Sequence, residues 1–160
     1  MSSFAAPPLR TARVLAVLLL AASLPLAPAQ AEQPRADACL PVVHDGWVRL
    51  PPGRMPMMAG FGRIENTCGT PAAIVSASSP SFAEVELHET TLVDGVSRMR
   101  HVPELRIAPG QDAVFKPGGL HLMLMRPQAV LPPGSTINIT FTLADGRTLV
   151  GEFELRKAGG

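Results

Sequence analysis

Histidines and methionines occur at every second position in one short segment of this sequence. In residues 120–125, read as a β-strand, the leucines share one face, while His121, Met123 and Met125 share the other. Methionine is apolar and has no reason to favour a solvent-facing position, so the pattern predicts either a metal-ligand cluster or a contact surface. Imidazole and thioether groups together favour Cu(I) over zinc, calcium or magnesium.

A hairpin signal brings further soft donors together. Asp94-Gly95 between apolar flanks is typical of a two-residue hairpin turn. Pairing of the residues next to that turn would place His88 opposite His101, with Met99 one diagonal step from His88. One face of the hairpin therefore offers two imidazoles and a thioether within reach of a shared ion.

Each of these positions alone has an ordinary structural explanation. A single histidine on a strand is more often a surface or hydrogen-bonded group than a ligand, and a single methionine more often fills a core. Their coincidence on same-face positions favours the ligand hypothesis. The sequence has no C-x-x-C or H-E-x-x-H pair, no calcium loop, no G-x-S-x-G elbow and no phosphate or dinucleotide loop, so we expect a binding protein and not an enzyme. A blue-copper electron carrier would need a thiolate among histidines, and Cys68 has no histidine within the next ten residues.

The first 31 residues are typical of a secretory signal peptide. Arg10 and Arg13 precede an apolar run over residues 14–24, and the small-residue pattern Ala29-Gln30-Ala31 follows. The run is too short for a membrane span, which needs about 20 residues. We expect cleavage after Ala31, a periplasmic protein and no membrane span in the mature form. A formal net charge of +1 provides no basic surplus for nucleic acid.

The remainder predicts an all-β domain. The 17 prolines and 14 glycines argue against a helical bundle. We expect an N-terminal arm over residues 32–45 and one domain over residues 46–160, built as a sandwich or barrel of short strands. In an oxidising compartment, Cys39 and Cys68 favour a disulfide. The predicted strands are Trp47–Leu50, Met58–Glu65, Ala72–Ala77, Ala83–Val93, Val96–Val102, Ala113–Lys116, Leu120–Arg126, Thr136–Leu143 and Thr148–Leu155.

The spacing His88-x10-Met99-x21-His121-x-Met123 resembles the signature of the periplasmic PCu(A)C copper chaperones. The surrounding strings also match, notably Lys116-Pro117-Gly118-Gly119 ahead of the Leu-His-Leu-Met segment. The resemblance implies a cupredoxin-like Greek-key β-sandwich with an exposed Cu(I) site. It implies these metal ligands: His88, Met99, His121 and Met123.

The same resemblance implies a function and partners. The protein would deliver copper towards the binuclear copper centre of cytochrome c oxidase, with an oxidase subunit or a Sco-type protein as its partner. The alternative is a periplasmic sequestering or resistance protein without a dedicated acceptor. His101 and Met125 are auxiliary ligand candidates, and the cluster Met55-Pro56-Met57-Met58 either adds soft donors or caps the sandwich. We expect a monomer.

Overall fold

The computed structural model describes residues 39–53 and 55–158, which fold into ten β-strands. No helix occurs in these two ranges, so none there could cross a bilayer. The predicted signal peptide and residues 32–38 of the predicted arm lie outside the described residues. The strands are β1 (Val42–Leu50), β2 (Met57–Asn66), β3 (Ala72–Ser78), β4 (Phe82–Val93), β5 (Val96–His101), β6 (Leu105–Ile107), β7 (Gln111–Phe115), β8 (Leu120–Pro127), β9 (Thr136–Leu143) and β10 (Thr148–Lys157).

Seven strands form a closed ring in the order β4-β8-β2-β1-β10-β9-β3. The ring closes through a single residue pair between β3 and β4, Ala77 with Val85. Three strands extend it: β5 continues from β4, β6 from β3, and β7 pairs with β2. The pairing of β1 with β10 is parallel, and the other strand pairs are antiparallel. The predicted all-β fold is confirmed, with its layers joined at their edges into a barrel-like sheet.

The ring encloses one hydrophobic core. On β8 the predicted alternation is confirmed, because Leu122 and Leu124 are fully buried in that core and Leu120 packs against it. Burying a leucine side chain contributes about 1.5–3 kcal/mol. This burial fixes which way β8 faces, and so directs His121, Met123 and Met125 to the opposite side of the strand.

The first strand begins five residues earlier than the sequence predicted. Residues 42–44, which we assigned to the arm, pair with β2. A bulge at Asp45-Gly46 interrupts the alternation between His44 and Trp47, and this hides the strand in the sequence. A Cβ atom on Gly46 would lie 2.9 Å from Cγ of Phe153, so the close approach of β10 requires glycine here.

The other eight predicted strands are confirmed to within two residues at each end. One strand, β6, was not predicted, because three residues are too few to show a period of two. It pairs with β3 and carries Ile107 into the core.

The predicted disulfide between Cys39 and Cys68 is present, with Cα atoms 5.6 Å apart. It connects the residues just before β1 to the loop that follows β2. Both sulfur atoms are therefore engaged in a covalent bond, which leaves neither as a thiolate for a blue-copper centre.

A buried asparagine organises the same loop. The Asn66 side chain is 0% exposed, and its Nδ2 donates to the carbonyl oxygens of Thr70 at 3.0 Å and Ile107 at 2.9 Å. Its Oδ1 accepts from the backbone N–H of Cys68 at 3.1 Å. One side chain thus fastens the end of β2 to β6 and to the disulfide loop.

We expect Asn66→Ala to lower the free energy of unfolding by about 3 kcal/mol or more, because it leaves buried backbone groups without partners. Urea denaturation measures the loss. Asn138→Ala, at an exposed position on β9, is the matched control and should change stability by no more than about 0.5 kcal/mol. Equal losses in the two variants would contradict the role assigned to Asn66.

Candidate metal site

Three adjacent strands bring the histidines of the two sequence motifs together. His88 on β4 pairs with His121 on β8 and, on its other side, with His101 on β5. The ring centroid of His88 lies 6.1 Å from that of His121 and 5.6 Å from that of His101. The hairpin register predicted from Asp94-Gly95 is confirmed. The pairing of β8 with β4, which joins the two motifs, was not visible in the sequence.

The methionines occupy neighbouring positions on the same three strands. Met99 on β5 lies opposite Thr90 of β4, one diagonal step from His88. Met123 follows His121 by two residues on β8 and lies opposite Glu86 of β4. The fold thus places one imidazole and one thioether from each motif on a continuous stretch of β5, β4 and β8.

Exposure changes steeply across this cluster. His121 is only 7% exposed and the His88 side chain 16%, whereas Met99 on the edge strand is 55% exposed. The sequence showed that His121 lies opposite the leucine face of β8, but it did not show that this side is covered. The cluster therefore has a buried imidazole end and a solvent-facing thioether end.

A backbone carbonyl determines the tautomer of His121. Its Nδ1 lies 2.8 Å from the carbonyl oxygen of Gly119. A carbonyl oxygen can only accept, so Nδ1 carries the hydrogen and donates it. In the neutral ring the lone pair is then on Nε2, the nitrogen that can bind a metal.

A carboxylate determines the tautomer of His88, but here the nitrogen that carries the hydrogen is Nε2 and not Nδ1. Nε2 of His88 lies 2.7 Å from Oε2 of Glu86, and the buried Nδ1 has no hydrogen-bond partner among the described residues. The hydrogen on Nε2 is donated to the carboxylate, so the lone pair is on Nδ1. A buried nitrogen without a partner costs about 1–3 kcal/mol, and a bound metal would supply that partner.

Glu86 is a candidate positioning residue that we did not predict from the sequence. The hydrogen bond from His88 holds the pKa of the Glu86 carboxyl below its ordinary value of 4.5, so it is ionised at neutral pH. Carboxylate–histidine pairs of this kind orient metal-binding imidazoles and raise their basicity. The signal was present, because Glu86 precedes His88 by two residues and so shares its face of β4.

The remaining candidates lie at either end of the cluster. His101 is exposed on the edge strand beside His88. Met125 is half-buried on β8, two residues beyond Met123. Within residues 39–53 and 55–158, no group of three or more His, Cys, Asp or Glu side chains is arranged to hold a metal.

Comparison with known proteins identifies relatives of this chain. The sequence model of a family described as "Putative lipoprotein LpqE-like" matches residues 42–154. A protein of Leifsonia xyli named putative lipoprotein Lxx21020 is 34% identical, over 88% of this chain and 84% of its own. An uncharacterized protein of Rickettsia prowazekii, RP573, is 32% identical over 58% of this chain and 52% of its own.

Solved structures show the same fold. The solution structure of the Cu(I) form of DR1885 from Deinococcus radiodurans is 31% identical, with a TM-score of 0.62, and the match covers 81% of this chain and 87% of that one. A copper-bound PCuAC domain from PmoF2 has a TM-score of 0.60 at 16% identity, with 72% of this chain and 92% of that chain covered. The predicted cupredoxin-like β-fold is confirmed by these structures.

Proposed function

We propose that this chain, which belongs to the PCu(A)C family by its match to the LpqE-like family model, is a copper chaperone. It would bind Cu(I) and pass it to another protein. The ion would be held by two imidazole nitrogens and two thioether sulfurs. The proposed ligands are His88, Met99, His121 and Met123.

The observation that carries this proposal is the buried, unpartnered Nδ1 of His88 beside the ring of His121. In both rings the second nitrogen is already committed to a protein acceptor, so each has one defined lone pair for a metal. Met99 and Met123 add neutral, soft sulfur donors that carry no proton to lose. This donor set suits Cu(I) better than a hard divalent cation.

The change from buried imidazoles to an exposed thioether across the cluster suits transfer of the copper ion to another protein. The buried imidazoles would shield the ion from water, while Met99 on the edge strand lies where an acceptor protein can reach it. Exchange of one ligand at a time from the Met99 side would let the ion leave without being released free into solution. A carrier needs this combination of shielding and access.

The periplasm is the proposed location. The sequence begins with a segment typical of a secretory signal, the disulfide requires an oxidising compartment to persist, and a relative is named a putative lipoprotein. The proposed acceptor is the binuclear copper centre of cytochrome c oxidase, directly or through a Sco-type protein. This acceptor follows from the family resemblance.

Cu(I) X-ray absorption spectroscopy tests the ligand set. The loaded protein should show two sulfur and two nitrogen donors, and Met99→Leu and Met123→Leu should each lose one sulfur. Each variant should also lose more affinity for Cu(I) than for Cu(II), since thioether sulfur is a soft donor. Met58→Leu, whose side chain packs on the core, is the matched control and should keep both sulfurs. Unchanged sulfur counts in Met99→Leu and Met123→Leu would exclude direct coordination.

A transfer assay separates a chaperone from a sequestering protein. Cu(I)-loaded protein is mixed under anaerobic conditions with the apo copper-binding domain of an oxidase subunit, or with a small chelator of matched affinity. A chaperone should load the oxidase domain faster than it loads the chelator. Equal rates would favour sequestration without a dedicated acceptor.

The Cu(I) affinity should fall as the pH drops below about 6.5, because protons compete with the ion for imidazole and histidine titrates near that value in water. Glu86 adds little slope near neutral pH, since the hydrogen bond from His88 holds its pKa below the ordinary value. Its hydrogen bond is complete above the ordinary carboxyl range and is lost as the pH falls through its lowered pKa. Competitive chelator titration between pH 7.5 and 5 measures the effect, and a flat profile would contradict ligation by two histidines.

A further inference from the structure

The outer face of the sheet carries more thioethers than the proposed site uses. Met57 of β2 pairs with Met125 of β8, and the next pair on the same face is Ala59 with Met123. Cross-strand neighbours lie about 5 Å apart at Cβ, and residues two apart on a strand about 6.5–7 Å. Met57 and Met125 therefore place two thioethers side by side, two residues along β8 from Met123. We call them the Met57–Met125 pair.

Core packing does not explain this pair. Met57 is 43% exposed and Met125 half-buried, whereas the adjacent Met58 lies opposite Leu124 and packs against the core. Methionine commonly fills irregular gaps inside a protein, and Met58 does so. Met57 and Met125 do not belong to the core cluster, so gap-filling in the core does not account for them.

The charged neighbours of the pair are already engaged with each other. Met125 has Met57 of β2 on one side and Glu84 of β4 on the other. Glu84 forms an ion pair with Arg126 at 2.8 Å. The donors left at this position are neutral sulfurs. Such a set would attract a soft monovalent ion and would discriminate against calcium, magnesium or zinc.

We propose that the Met57–Met125 pair is a second binding position for Cu(I), or for the chemically similar Ag(I), adjacent to the first site. It extends the proposed function, since the same ion would occupy both positions. The second position has no imidazole, and the carboxylate beside it, Glu84, is paired with Arg126, so it holds the ion more weakly than the first. Met123, a proposed ligand of the first site, lies next to Met125 on the same face of β8, so the ion would pass between the two positions from sulfur to sulfur.

Methionine-methyl NMR tests the proposal site by site. The protein is labelled with ¹³C at its methionine methyl groups and titrated with Cu(I) under anaerobic conditions. The first equivalent should shift the signals of Met99 and Met123. The second equivalent should shift those of Met57 and Met125, while the Met58 signal stays in place. If Met57 and Met125 move no more than Met58 through two equivalents, there is no second position.

A double variant separates this proposal from the proposed function. Met57→Leu combined with Met125→Leu should abolish the second phase and leave the first intact, and leucine conserves the volume well enough to keep the fold. Met58→Leu is the matched control and should retain both phases. If both phases survive the double variant, the second position is overturned and the first site stands. If Met57 and Met125 respond but Met99 and Met123 do not, the second position stands and the proposed ligand set fails.

Discussion

Replacing His121 by alanine is expected to lower the Cu(I) affinity by at least about 100-fold. Loss of a group that merely orients a metal ligand typically costs 10–100-fold in affinity, and loss of the ligand itself should exceed this. His121 is buried, and its tautomer is determined by the hydrogen bond to Gly119, so no neighbouring side chain can easily take its place. Competition with a Cu(I) chelator at neutral pH measures the change.

Two further variants make this measurement decisive. His121→Asn keeps a side-chain N–H for the carbonyl of Gly119 but provides no imidazole, so it should keep the fold and still lose affinity. His44→Ala is the histidine control, because His44 lies on β1 next to Glu65, outside the proposed ligand set. If His44→Ala and His121→Ala weakened Cu(I) binding equally, the site would have to be placed elsewhere.

Removal of the disulfide is expected to produce a large loss of stability without loss of copper binding. The bond joins residues 29 positions apart, and opening a loop of that length should cost about 3–4 kcal/mol through the entropy of the unfolded chain. Urea denaturation of the Cys39→Ser, Cys68→Ser double variant measures this. The Cu(I) affinity should stay unchanged, since the proposed ligands are on β4, β5 and β8.

A reductant provides the internal control for the disulfide. Treatment of the natural protein with dithiothreitol should reproduce the stability of the double variant, and the variant itself should not respond. If the reduced protein kept its full stability, the bond would be redundant with the hydrogen bonds that Asn66 makes in the same loop.

Local patterns in the sequence were enough to predict much of this structure. The Asp94-Gly95 turn gave the β4–β5 register down to the pairing of His88 with His101. The Leu-His-Leu-Met alternation gave the core face of β8. Both rest on a period of two and on a turn of defined length, so neither depends on distant parts of the chain.

The features that the sequence did not predict depend on contacts between distant segments. The bulge at Asp45-Gly46 breaks the alternating pattern at the start of β1. Residues 42–44 are recognisable as a strand only from their pairing with β2. The burial of His121 depends on what covers the outer face of β8. The assignment of the lone pair in each imidazole depends on single acceptor atoms, Oε2 of Glu86 and the carbonyl oxygen of Gly119.

Strands β5 and β6, which end the main path of the sheet, raise the problem of unwanted association between molecules. An edge strand offers unpaired N–H and C=O groups on which another chain can build a fibril. The edge at β6 is only three residues long. The edge at β5 carries Arg98, whose charge would repel a second copy aligned beside it, while Arg100 on the same strand is paired with Glu89 of β4. A covering loop would bury Met99, whereas protection of the β5 edge by charge would leave that sulfur within reach of a partner.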